Sequence, residues 1–153
     1  MNYLAAIVSL AATTVLITQP GVAHDGAKGI VKQRMGQMSA MESNLKRIAG
    51  MIRSGDDFDR QEILHLVNGI AKHSGKSMTR LFPESSKGMR SEADPVIWEE
   101  WDMFRSGASD LFRKADNLAK ITSAGHDRAD LMTAIRQLAA SCTSCHRKFR
   151  RPK

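Results

Sequence analysis

The stretch LMTAIRQLAASCTSCHRKF, residues 131–149, carries the pattern that decides the fold. Its apolar residues and cysteines are spaced alternately four and three positions apart, at Leu131, Ile135, Leu138, Cys142, Cys145 and Phe149. This spacing is typical of one buried face of a long α-helix. Both cysteines therefore belong to the face that a helix bundle turns towards its interior.

The same stretch ends in a short motif of chemical interest, Cys142-Thr143-Ser144-Cys145-His146. On a helix Cys142 and Cys145 lie one above the other, and His146 flanks the same face. Cys-x-x-Cys-His is the attachment signature of c-type haem, in which two thiols form thioethers and the histidine binds iron. The motif therefore predicts one covalently bound haem c with its iron, held by Cys142, Cys145 and His146.

A redox-active dithiol or another metal site is the alternative interpretation of two cysteines at this spacing. A reactive dithiol is favoured at a helix N-terminus, where the helix dipole stabilises the thiolate, whereas this pair comes late in a helical pattern. The adjacent His146 and the absence of any other cysteine in the chain favour haem.

The first 23 residues contain no charged side chain, and residues 4–17 are mostly apolar or small. Small residues at positions 21–23 suit a signal peptidase, so we predict a secretory signal peptide over residues 1–23 and a periplasmic protein. Residues 24–153 then form one domain. Because only the terminal amine supplies positive charge before the apolar run, an uncleaved N-terminal anchor is the alternative.

The formal net charge is +7, and all charged residues follow position 23. This charge suits an acidic partner protein or a membrane surface, whereas no basic stripe interleaved with aromatics indicates nucleic acid. Cations cluster at the C-terminus: Arg147, Lys148, Arg150, Arg151 and Lys153. They either guide an acidic redox partner or form a solvated helix end favoured by the helix dipole.

Helical spacing continues through the rest of the chain. A first helix is predicted over about 27–53 and a second to about residue 74, separated by Gly55 and an aspartate cap at 56 or 57. After an irregular crossover, 75–94, a third helix begins at Asp94-Pro95, and Gly125 and Asp127 separate it from the fourth. These elements predict an all-α antiparallel four-helix bundle.

Arg34 interrupts the apolar face of the first helix, since it lies four residues before Met38 on that face. A buried arginine needs a partner that offsets its desolvation, and the carboxylates of a haem would serve. The alternative is a side chain that extends to solvent at the helix end.

The signal segment, the four amphipathic helices and a C-terminal Cys-x-x-Cys-His together resemble the cytochrome c′ family, the class II c-type cytochromes. Residues 31–34 with Met38 resemble the family's first-helix motif, residues 81–83 (LFP) its loop motif and residues 97–99 (IWE) its third-helix opening. Gln33 departs from the pattern, because the family usually has an aromatic residue there.

The resemblance implies a role for each matched residue. Arg34 would pair with a haem propionate, Met38 would face the distal side of the iron, and His146 would be the proximal ligand. Arg150 would lie beside the proximal imidazole. The resemblance also implies a homodimer through the first helices.

The predicted function depends on Met38. If its thioether binds iron opposite His146, the haem is six-coordinate and suits a carrier of single electrons, which is our main prediction. If Met38 only packs, a five-coordinate high-spin haem would bind NO or CO. We predict no enzyme, because a haem peroxidase needs a distal acid or base where this chain offers Met38 and apolar neighbours.

Overall fold

A computed structural model describes residues 27–55 and 57–152. It contains four long helices, α1 (Gly29–Arg53), α2 (Arg60–Lys72), α5 (Trp101–Ser123) and α6 (Arg128–Phe149). A short helix, α3 (Gly75–Thr79), and a 3-10 turn (Glu84–Ser86) lie in the crossover, and a second short helix, α4 (Val96–Glu99), directly follows it. The predicted signal peptide lies outside the described residues. Within the described ranges, no helix is long and apolar enough to cross a membrane.

The long helices pack as a ring, since α1 contacts α2 and α6, and α5 contacts the same two helices. This arrangement confirms the predicted antiparallel four-helix bundle. The apolar faces meet in one core, whose largest fully buried side chains include Ile48, Ile52, Ile63, Leu66, Phe104, Leu118, Leu131 and Leu138. Burial of each such side chain stabilises the fold by about 1.5–3 kcal/mol.

Aspartates cap the N-termini of α6 and α2, and only the first of these caps was predicted from the sequence. Asp127 caps α6, because its Oδ1 accepts a hydrogen bond of 2.9 Å from the N–H of Asp130, as predicted. The predicted cap of α2 was wrong. Asp59, rather than an aspartate at 56 or 57, accepts the N–H groups of Gln61 and Glu62 at 2.8 and 3.1 Å. The residue that directly precedes the helix reaches these amides.

The crossover is more helical than predicted, because α3 and the 3-10 turn lie inside the segment expected to be irregular. The predicted third helix is also divided. Glu100 leaves helical geometry at φ −113° and ψ 47°, which separates α4 from α5. Asp94 still accepts the N–H of Val96 at 3.0 Å, so it stabilises the start of α4 as the sequence predicted.

A partly buried polar cluster fixes α6 against α5 directly before the first cysteine. Ser141 donates to Asp110 Oδ2 at 2.9 Å, and Lys114 Nζ lies 2.8 Å from both the Ser141 hydroxyl and Asp110 Oδ2. The bond from Lys114 holds the pKa of Asp110 below its usual range. Because Ser141 is tied to α5, the rotation of α6 that presents Cys142 is defined.

Candidate haem site

A cavity of about 430 Å³ lies between α1 and α6. Its volume is within the range of small-molecule and cofactor pockets. All six site residues predicted from the sequence line it: Arg34, Met38, Cys142, Cys145, His146 and Arg150. The structure thus brings together residues that are more than one hundred positions apart in the chain.

Cys142 and Cys145 are free, half-buried thiols on the cavity wall. Burial raises the pKa of Cys142 and raises that of Cys145 to about 11. A reactive dithiol has the opposite property, a lowered thiol pKa. Across residues 27–55 and 57–152, no three His, Cys, Asp or Glu side chains are grouped to hold a metal ion. The raised pKa values of the two thiols favour thioether attachment over a reactive dithiol.

His146 follows the cysteines on the last turns of α6 and borders the cavity. Burial is the main cause that lowers the pKa of His146, and the neighbouring Arg150 cation lowers it further. The carboxylates of Glu42 and Glu92 act in the opposite direction. A lowered pKa favours the neutral imidazole at neutral pH, which is the form that binds iron.

Arg34 provides the test of whether a haem fits this cavity. Only 4% of the residue is exposed, so it does not extend to solvent. Among the described residues, its Nε, Nη1 and Nη2 atoms have no hydrogen-bond partner, and its guanidinium lies 4.6 Å from the centre of the Phe82 ring. Burial lowers the pKa of Arg34. An unpaired buried cation is costly, and an anionic group in the cavity would compensate it. A carboxylate-bearing porphyrin therefore fits the residues present.

Met38 faces the cavity from α1, whereas His146 borders it from α6. Sequence reasoning missed three further methionines on the cavity wall, Met35, Met41 and Met78. Met41 is largely buried, and its sulfur lies 3.9 Å from the Ser74 hydroxyl. Met35 and Met38, which also lie on α1 and line the cavity, are half-buried.

The segment 91–93 forms one edge of the cavity and is tied to the end of α6. Asp94 N–H donates to the Phe149 carbonyl at 3.0 Å, and Arg151 N–H donates to the Glu92 carbonyl at 2.8 Å. Arg150 Nε donates to Glu92 Oε2 at 2.7 Å. Glu92 was not identified from the sequence, since its partner lies 58 residues away and no periodic pattern connects them.

Phe82 of the loop motif 81–83 lines the cavity beside α5. Phe82 is buried, and its ring centre lies 4.8 Å from that of Phe104. Trp98 Nε1 donates to the Phe82 carbonyl at 3.0 Å and so anchors the loop to α4. These contacts hold Phe82 over the Arg34 guanidinium.

A four-helix bundle that carries Cys-x-x-Cys-His on its last helix, facing a cavity with an unpaired arginine, defines a class II c-type cytochrome. The family model described as Cytochrome C′ matches residues 29–150, and the chain belongs to this family. The family comprises c-type haem electron carriers, and its cofactor is one covalently bound haem c with its iron.

Named relatives agree with this assignment. Cytochrome c-554 of Cereibacter sphaeroides is 30% identical over 149 residues, which cover 94% of this chain and 96% of the relative. Cytochrome c-556 of Agrobacterium fabrum is 31% identical over 127 residues, covering 83% and 84%. The crystal structure of cytochrome c′ from Rhodopseudomonas palustris has a TM-score of 0.71 and 29% identity, covering 83% of this chain and 99% of that chain.

Proposed function

We propose that this protein carries single electrons through one haem c attached to Cys142 and Cys145, with His146 and Met38 as the axial ligands of iron. The observation that carries this proposal is that Met38 and His146 border the same cavity from the facing helices α1 and α6. Haem iron exchanges one electron between its ferric and ferrous states, and Met/His ligation raises the reduction potential.

The other residues of the cavity hold and shield the cofactor in this proposal. The Arg34 guanidinium, which has no hydrogen-bond partner within residues 27–55 and 57–152, would bind a propionate. Leu45, Ile70, Phe82 and Phe104 supply an apolar lining that excludes water. Outer-sphere electron transfer is favoured when the iron keeps the same ligands and is surrounded by apolar side chains. In that case neither the ligands nor the solvent must rearrange much when the charge of the iron changes.

Replacing Met38 with leucine tests the ligation. Leucine has a similar volume but no sulfur, so the variant is expected to lose the sixth ligand, become high-spin and bind CO. The measurement is the optical spectrum of the reduced protein before and after addition of CO. Met35→Leu is the matched control, because Met35 lines the same cavity and is expected to leave the spectrum unchanged. A Met38→Leu spectrum identical to that of the unmodified protein would contradict the assignment.

The second candidate is a five-coordinate, high-spin haem that binds NO or CO at its distal face. The comparisons support it more than the first candidate, because the family model and the Rhodopseudomonas palustris structure both carry the name cytochrome c′. An apolar distal wall also suits an uncharged diatomic ligand. In this case Met38 packs against the porphyrin without binding iron, and the unmodified protein binds CO.

We infer that the protein is a carrier and not an enzyme. Peroxide chemistry at a haem needs a second acid or base over the open iron, usually a histidine with a polar partner. Among the described residues that line the cavity, His146 is the only histidine, and it is assigned to the iron. The other wall of the cavity presents the methionines of α1.

We propose an acidic redox protein as the electron-transfer partner. Arg147 and Arg151 are exposed beside the haem motif, whereas Lys148 is paired with Glu100. Attraction between such cations and an acidic surface accelerates encounter and is screened by salt. Stopped-flow reduction by an acidic plant-type ferredoxin is expected to slow as ionic strength rises, and to depend less on salt in an Arg147→Ser/Arg151→Ser variant. A reduction rate that does not change with ionic strength would contradict the role of Arg147 and Arg151 in attracting an acidic partner.

Export to the periplasm and assembly as a homodimer complete the proposal. Residues 1–23, which have the composition of a secretory signal, support export. Attachment of haem c to a chain of this family is consistent with that location. The family resemblance supports a homodimer that meets through α1.

A further inference from the structure

A charge pair lies at the proximal edge of the cavity. Arg150 donates through Nε to Glu92 Oε2 at 2.7 Å, and its Nη2 forms a second contact with the same oxygen. Roughly a third of each side chain is exposed, at 38% for Arg150 and 32% for Glu92. Since two backbone hydrogen bonds also join segment 91–94 to residues 149–151, the carboxylate is presented by a fixed stretch of chain.

This pair lies close to the proposed proximal ligand. Arg150 follows His146 by one turn of α6, and its N–H donates to the His146 carbonyl at 3.1 Å. Arg150, Glu92 and His146 all line the cavity. The Arg150 guanidinium is positive and the Glu92 carboxylate is negative, so the two side chains place opposite charges at the edge of the cavity that His146 also lines.

We propose that Glu92 is a positioning residue for the haem. Its carboxylate holds the Arg150 guanidinium beside the proximal imidazole and offsets the positive charge there, and thereby sets the reduction potential of the iron. The inference rests on the proposed assignment of His146 as proximal ligand. The inference also extends the proposed function, because it assigns control of the reduction potential to Glu92, a residue of the crossover that lies outside the haem motif.

The sign of the effect follows from electrostatics. Oxidised haem carries one more positive charge than reduced haem, so an uncompensated cation nearby favours the reduced form. Glu92→Gln leaves Arg150 uncompensated and is expected to raise the reduction potential. Arg150→Gln removes a positive charge beside the haem and is expected to lower the reduction potential. Each change should alter the ferrous-to-ferric ratio at fixed ambient potential roughly tenfold.

The experiment is a redox titration of the purified holoprotein and its variants at one pH and ionic strength. A Glu92→Gln/Arg150→Gln double variant is expected to return near the potential of the unmodified protein, because both charges are removed. Glu92→Asp keeps the charge and is expected to rescue most of the shift. The optical spectra should stay unchanged, since the axial ligands are not altered.

Glu100→Gln is the matched control. The variant breaks the ion pair between Glu100 and Lys148, which lies at the same end of α6 as the Arg150–Glu92 pair. The exposed fractions are similar to those of that pair, at 38% for Glu100 and 37% for Lys148. Neither Glu100 nor Lys148 is among the described residues that line the cavity. Glu100→Gln is expected to change the thermal stability as much as Glu92→Gln does, and to leave the reduction potential unchanged.

The outcomes separate this inference from the proposed function. An unchanged potential in Glu92→Gln, or an equal shift in Glu100→Gln, would overturn the role of Glu92 while haem attachment and spin state stand. A high-spin, CO-binding spectrum in the unmodified protein would overturn Met38 ligation, and the titrations would still decide the role of Glu92. A protein purified without covalent haem would overturn both.

Discussion

Replacement of both Cys142 and Cys145 with alanine is expected to abolish covalent haem. Both thiols face the cavity, and they are the only cysteines in the chain, so nothing else can form the thioethers. After denaturing electrophoresis, the band of the unmodified protein should keep the peroxidase stain of bound haem, whereas the band of the double variant should show none. Each single variant should retain haem through one bond, in reduced yield.

Ser144→Ala is the matched control for the cysteine variants. Ser144 lies between the two cysteines, is exposed and donates only to the Ser141 carbonyl, at 3.2 Å. Its replacement is expected to leave haem attachment intact. Covalent haem in the double cysteine variant would contradict the assignment of the motif.

Arg34→Met is expected to have opposite effects on the protein without and with haem. Without haem, the change removes a buried cation that has no hydrogen-bond partner in the part of the chain that the structure describes, so it should stabilise the fold by about 1–4 kcal/mol. With haem, it leaves the anionic partner unpaired and should destabilise the protein by about 3–5 kcal/mol. The double cysteine variant supplies the haem-free chain, and urea unfolding measures both free energies.

The control for this prediction is Arg47→Met. Arg47 forms a surface ion pair with Glu62 on α2 and is 59% exposed, so its loss should change stability by less than about 1 kcal/mol in either form. A change of the same sign for Arg34→Met in both forms would contradict the pairing of Arg34 with a haem propionate.

The sequence predicted those features that repeat locally along one helix. The face of α6 could be derived from its four-and-three spacing. The place of Arg34 on the apolar face of α1 left two alternatives, burial beside an anionic partner or extension to solvent, and the structure shows burial. Asp127 was recognised as a cap because it directly precedes an apolar periodic run. In each case a few neighbouring residues determine the structure.

The features that were missed depend on contacts between distant segments. Glu92 became a candidate site residue only through its hydrogen bond with Arg150, which lies 58 residues away at the end of α6. The break at Glu100 lies inside an uninterrupted apolar pattern, and Glu100 pairs with Lys148 of α6. Met35 lies beside the main apolar face of α1 and borders the cavity only because α6 packs next to it. Single-helix periodicity contains no information on such packing.

The ligation of iron by His146 and Met38 is tested most directly by the optical spectrum of the purified protein, oxidised and reduced, before and after addition of CO. Our account predicts a sharp α band in the reduced form, a weak thioether-to-iron charge-transfer band in the oxidised form, and no response to CO. A broad high-spin reduced spectrum that shifts on addition of CO would contradict it and leave Met38 as a packing residue in a gas-binding haem pocket.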